Sequence, residues 1–264
     1  MPYADNHGVK IFYDSYGEGV PLVFLHPWTT NGYIWYFQIF PFARTNLVVA
    51  IDHRGHGRSD KPREGYAIQQ HARDVVAVMD ALGIERAVLI GNSIGGMIAM
   101  QCALDYPGRV LANVIQSSGT GLGEDMPKEA AEGFRQNYEG TFSVLLDGTV
   151  SAKSRRERPE ILELMKAHFM TPSNFPKYVF DSAFADPNGV FNWNIKNRLR
   201  EIRQPTLVIA GEEDQATPVA ANKFLADNIP GAKFKTVKDV GHFYQLEKPA
   251  ECNATLREFI AGIK

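Results

Sequence analysis

Gly91-Asn92-Ser93-Ile94-Gly95 sets a serine between two glycines, directly after the apolar run Ala87 to Ile90 and directly before a helical pattern that reaches Tyr106. A serine at a sharp strand-to-helix turn is held in a strained conformation that pushes its hydroxyl out over the carboxyl ends of the strands. Side chains two residues to either side would collide with neighbouring backbone, so glycine is required at 91 and 95. The pattern is that of a nucleophile elbow. Five residues of this kind are weak evidence in a chain with 23 Gly, and the position between strand and helix is what gives them weight. An ordinary tight turn with a capping serine is the competing reading. The spacing of Gly91, Gly95 and Gly96 does not fit the dinucleotide fingerprint G-x-G-x-x-G.

A serine hydroxyl is a poor nucleophile at neutral pH, so a base and a group that orients it must exist elsewhere. Only His168 and His242 follow Ser93 in the chain. His168, within Ile161 to Phe169, reads as a surface or packing residue. His242 lies in Val240-Gly241-His242-Phe243, past the run Lys233 to Val237, on a loop that would reach the carboxyl end of a sheet, and it is the expected base. The run Thr206 to Ile209 is followed by three adjacent carboxylates, Glu212, Glu213 and Asp214. Asp214 is the choice for the orienting acid, with Glu212, Glu213 and the more distant Asp239 in competition and only loosely ranked by the residues themselves.

These side chains need a scaffold that brings strand ends together. Val9 to Tyr13, Leu22 to Leu25, Leu47 to Ile51, Ala87 to Ile90, Val110 to Ile115 and Thr206 to Ile209 read as strands. Leu22 to Leu25 and Ala87 to Ile90 are apolar without alternation, as expected of strands covered by helices on both faces. Ile68 to Leu82 carries Ala72, Val75, Val76, Met79 and Leu82 at helical spacing, and Gly95 to Tyr106 stops before Pro107, so each can cross between parallel strands. After Gly123 the alternation breaks until about Asn197. The expected organisation is a single α/β core of residues 1–121 and 198–264 interrupted by a helical cap at 122–197.

The 264 residues suffice for one large domain, and 28 basic against 30 acidic side chains leave a formal charge of −2, which favours neither nucleic acid nor an anionic membrane. No basic-then-apolar leader and no span-length apolar run is present, so the chain reads as soluble and unexported. Cys102 and Cys252 form no metal spacing or disulfide framework, which fits the cytoplasm, and both read as core thiols.

Motif by motif the chain resembles the α/β-hydrolase superfamily, over nearly all its length except the cap. Leu25-His26-Pro27-Trp28 looks like the oxyanion loop, Asp52-His53-Arg54-Gly55-His56-Gly57-Arg58-Ser59 like the D-x-R-G-x-G-x-S loop, and Gly91 to Gly96 like the elbow. Gly211 to Pro218 is similar to the acid motif, which singles out Asp214, and Gly241-His242 with Glu247 and Pro249 to the histidine loop. The resemblance implies a mostly parallel sheet flanked by helices, a Ser93–His242–Asp214 triad, and an oxyanion hole from the amides of Ile94 and Trp28. One departure is that Pro27 stands where the family usually has glycine, and proline has no N–H to offer. His26, His53 and His56 read as loop-structural.

The expected chemistry is two-step hydrolysis of a small carboxylic ester through an acyl-enzyme, with no cofactor and no metal. Phe134, Tyr138, Phe142, Leu145, Phe169, Phe175 and Trp193 would supply an apolar pocket or else the cap's own core. Ser93 argues against the haloalkane dehalogenase branch, which uses aspartate there. Two alternatives stay open: a carbon–carbon hydrolase of ring-cleavage products or a lactonase, and a slow-turnover ligand receptor on the same fold.

Overall fold

The computed structural model describes residues 2–121, 132, 133, 136, 137, 140, 146, 148–169 and 171–263. Strand β1 (Tyr3–Asn6) pairs antiparallel with β2 (Val9–Tyr16), which pairs antiparallel with β4 (Asn46–Ile51). From there the sheet is parallel, through β3 (Val20–Leu25), β5 (Ala87–Asn92), β6 (Val110–Gln116), β7 (Thr206–Gly211) and β8 (Lys233–Val237), in the order β1-β2-β4-β3-β5-β6-β7-β8. The sequence predicts β2 to β8, with unbroken apolar runs at β3 and β5; β1 is an addition, too short and too polar to announce itself.

Helices cover both faces because the central strands are apolar on both. Ile11, Val23, Leu25, Val49, Leu89 and Ile115 pack under α2 (Ile68–Ala81) and α3 (Ile94–Asp105). Leu22, Phe24, Val48, Ile90 and Val114 face the opposite layer, formed by α1 (Tyr36–Ala43) and the C-terminal helix Pro249–Ala261. Every residue of α3 from Ile94 to Ala103 is buried, so this helix is enclosed between the sheet and its neighbours rather than lying on the surface. Between β6 and β7 the described elements are helical, among them Ala152–Glu157, Glu160–Leu164 and Lys177–Ala185.

One ion pair anchors the loop after β4. Arg54 donates to Asp74 of α2 through Nε and Nη2, at 2.5 and 2.6 Å, with both side chains almost fully buried. Asn6 of β1 adds a third bond to the same carboxylate at 2.7 Å. Burial pushes the Asp74 carboxyl above its usual range, although Arg54 and Asn6 pull the other way. Removing one partner of such a pair strands the other charge in a medium that cannot solvate it. Arg54→Met should therefore cost about 3–5 kcal/mol in urea unfolding, and adding Asp74→Leu should restore a large part of the loss; equal stability of Arg54→Met and the parent would refute this.

Candidate active site

Ser93 sits at φ 57°, ψ −119°, between the end of β5 and the first residue of α3. Its N–H donates to Gln116 O at 2.9 Å, and its carbonyl accepts from Gly96 N–H at 2.9 Å and from Ser118 Oγ at 2.8 Å, so the turn is tied to β6 on both sides. The flanking glycines are a steric necessity. A Cβ at Gly91 would fall on the Gly95 carbonyl, and a Cβ at Gly95 on the Leu25 carbonyl of β3. Ile94 opens the helix, where amides have no partner within the helix itself.

His242 and Asp214 come from the loops after β8 and β7. His242 Nδ1 lies 2.8 Å from Asp214 Oδ2, and both side chains are buried. Thr217 Oγ1 donates to the same Oδ2 at 2.7 Å, while Oδ1 accepts the N–H groups of Ala216 and Thr217 at 2.9 and 3.0 Å. Burial alone would raise the Asp214 carboxyl, but the His242 ring and these hydrogen bonds outweigh it and hold the group below its ordinary value. Asp214 is thereby kept an anion that can fix one tautomer of the imidazole. The competing carboxylates go elsewhere: Glu213 accepts from Ala152 N–H at 2.8 Å, Asp239 lies 3.8 Å from Lys153 Nζ, and Glu212 is exposed.

The histidine loop is locked to the elbow. Asn92, the residue before the serine, donates from Nδ2 to His242 O and Gln116 O at 3.2 Å each, and accepts at Oδ1 from Gln245 Nε2 at 2.9 Å. On the other side Glu247 accepts from Gly241 N–H and Ser151 N–H, both at 2.9 Å, and His242 N–H donates to Thr149 O at 2.6 Å. Thr217 and Asn92 are the functional neighbours that sequence reasoning left without a role. Asn92 could have been flagged as a polar residue at the end of an otherwise apolar strand.

The loop after β3 turns sharply. Pro27 O accepts from Thr30 N–H at 3.3 Å and Thr30 Oγ1 at 2.8 Å, and Thr29 takes a positive φ of 64°. The Trp28 ring stacks on Phe180 at 5.1 Å and meets Phe175 and Phe191 edge-on. Beneath lie four buried imidazoles. His26 accepts the His53 N–H on Nε2 at 2.9 Å, His53 Nε2 is 3.1 Å from His26 O, and His56 Nδ1 is 2.9 Å from Arg54 O. His71 of α2 completes the set, its ring 5.7 Å from that of His53.

The cap aromatics divide. Phe175 stacks on His56 at 4.4 Å, and the Trp193 indole donates to Gln101 of α3 at 2.7 Å, inside the main core. Phe169 joins the opposite core. Phe134, Tyr138, Phe142, Leu145 and the His168 side chain lie outside the described residues. Among the described residues no three His, Cys, Asp or Glu side chains are placed to hold a metal ion, and no helix is long and apolar enough to cross a membrane.

Residues 20–249 match the family described as alpha/beta hydrolase fold. A solved structure described as Est816, an N-acyl homoserine lactone degrading enzyme, is 68% identical, covers 98% of this chain and 100% of its own, and superposes with a TM-score of 0.96. The dihydrolipoyllysine-residue acetyltransferase component of the acetoin cleaving system of Cupriavidus necator is 32% identical over 98% of this chain and 69% of that protein. The 2-hydroxymuconate semialdehyde hydrolase of a Pseudomonas strain, CF600, is 30% identical over 96% of this chain and 91% of that protein.

The histidine cluster sets a pH dependence. Burial lowers all four, His53 to about 4, His56 to about 3, and His26 and His71 well below the usual value, so each is neutral in the fold. In the unfolded chain they take up protons near pH ~6.5. Below that pH the unfolded state binds more protons than the native one, so stability falls as pH drops towards 4, by up to about 1.4 kcal/mol per pH unit for each histidine. The urea midpoint should decline steadily across this window, and His71→Leu should flatten the decline; a midpoint that stays constant would contradict the assignment.

Proposed function

The chain belongs to the α/β-hydrolase family, and from that premise we propose that it is a serine hydrolase that opens lactones, cyclic carboxylic esters, with N-acyl homoserine lactones as the first substrate class to test. The observation that carries the serine mechanism is the buried 2.8 Å contact of Asp214 with His242, joined to the Ser93 turn through Asn92. The lactone class draws its support from the 68% identical relative that covers 98% of this chain.

In this reading Ser93 Oγ attacks the lactone carbonyl carbon while His242 Nε2 takes the hydroxyl proton, and Asp214 stabilises the imidazolium from the Nδ1 side. The oxyanion is held by the amides of Ile94 and Trp28. When the ring C–O bond breaks, His242 returns the proton to the ring oxygen, which stays on the acyl group as a hydroxyl. Water, deprotonated by His242, then releases Ser93 and a hydroxy acid. Residues 122–197 act as the cap and residues 1–121 with 198–264 as the core; the contacts of Phe175 with His56 and Trp28 support that division.

Liquid chromatography with mass detection should show N-acyl homoserine lactones gaining one water, faster than p-nitrophenyl esters or a vinylogous diketone. Turnover of the diketone alone would transfer the proposal to carbon–carbon hydrolysis, and release of a single equivalent of product would point to a receptor. Ser93→Ala should lower kcat by at least about 10³-fold without unfolding the protein. Asp214→Asn should cost about 10⁴-fold, against less than about tenfold for Glu212→Gln or Glu213→Gln. Equal losses at the three carboxylates would remove Asp214 from its role.

A further inference from the structure

A carboxamide from the segment between β6 and β7 is bonded to the strained turn beside Trp28, which Thr30 also ties to Pro27 O. Thr29 is a β-branched residue at φ 64°, a conformation that costs of order 1–3 kcal/mol unless its surroundings impose it. Asn174 imposes it. Its Nδ2 donates to Thr29 O at 2.7 Å and Phe169 O at 2.8 Å, with Thr30 O further off at 3.4 Å. Its Oδ1 accepts from Asn31 Nδ2 at 2.9 Å and Gly57 N–H at 3.1 Å, and its own carbonyl accepts the same Gly57 N–H at 2.9 Å. Both donors and both lone pairs of the buried amide are used, and exchanging Oδ1 with Nδ2 would set donor against donor at Gly57.

We propose that Asn174 is a positioning residue for the oxyanion hole. By fixing the Thr29 carbonyl it keeps the chain reversed after Trp28, aims the Trp28 amide at the developing oxyanion, and makes that aim depend on the seating of Asn174 and its 171–174 turn on the core. The inference rests on the serine mechanism proposed above. Asn174 touches neither His242 nor Asp214 through any of these bonds, so its effect is on stabilising negative charge and not on proton transfer.

Asn174→Asp and Asn174→Ala, assayed with the lactone or ester that the parent turns over, should lower kcat by about 10²-fold, the scale of losing an oxyanion donor, with KM within about threefold. The pH-rate profile should keep its midpoints. Asn174→Asp is isosteric and keeps the acceptor for Asn31 and Gly57, so it separates lost donation from lost folding. Thr29→Gly in the Asn174→Ala background should recover at least tenfold, because glycine reaches positive φ without strain. If the parent labels with a fluorophosphonate at Ser93 and turns over, yet both Asn174 variants keep kcat within threefold well below their melting temperatures, this inference fails alone. Failure of Thr29→Gly to rescue would overturn the route through Thr29. A parent that neither turns over nor labels would overturn the serine mechanism itself.

Discussion

Helix α3 starts so close to the sheet that residue 95 has no room for a β-carbon against the Leu25 carbonyl, nor residue 91 against the Gly95 carbonyl. Ser93 takes a positive φ at that approach, and the strain is offset by an enclosed helix whose residues from Ile94 to Ala103 are all buried. Every other group at the site is placed relative to this contact. Gln116 receives the Ser93 amide, Ser118 binds the Ser93 carbonyl, and Asn92 reaches across to the backbone of His242.

Behind the elbow the interior is bonded as well as packed. Gln245 links Asn92 to Gln38, which donates to the Gln245 carbonyl and to Asn253, and Asn253 continues to the carbonyl of Phe37 in α1. Buried amides of this kind are costly when unpaired and rigid when paired. The chain of amides runs from the residue before the serine to two helices of the outer layer, so the serine's neighbour is held from the far side of the sheet. Imidazoles do the same on the other flank, where His26 and His53 exchange bonds between the ends of β3 and β4.

The central strands and the elbow were legible because each leaves a mark that depends on local residues alone: apolar runs without alternation at Leu22 to Leu25 and Ala87 to Ile90, and two glycines four residues apart at a strand end. The proposed orienting acid was harder. Three adjacent carboxylates are ranked only loosely by residue type, and it is the resemblance to the acid motif that singles out Asp214; in the structure its loop buries it and turns it towards His242, while Glu213 bonds to Ala152. Asn174 was not legible at all. In Thr171-Pro172-Ser173-Asn174 it reads as a loop residue, and although Phe169 is near, its partners Thr29, Asn31 and Gly57 lie more than a hundred positions away in the chain. His26, His53 and His56 are held in the loops as expected, but the fourth member, His71, arrives from a helix whose periodicity gave no sign of it.

At the far edge of the sheet β8 has, among the described residues, a neighbour on one side only, β7. An outermost strand can template pairing with another molecule, and a net charge of −2 gives the whole protein little mutual repulsion to prevent it. Lys233 and Lys235, two residues apart, point to one face of this short strand, and Lys235 is steadied there by Thr255 Oγ1 at 2.7 Å. Two copies meeting edge to edge would bring lysine against lysine. Like charges on the outermost strand thus disfavour pairing at this edge of the sheet.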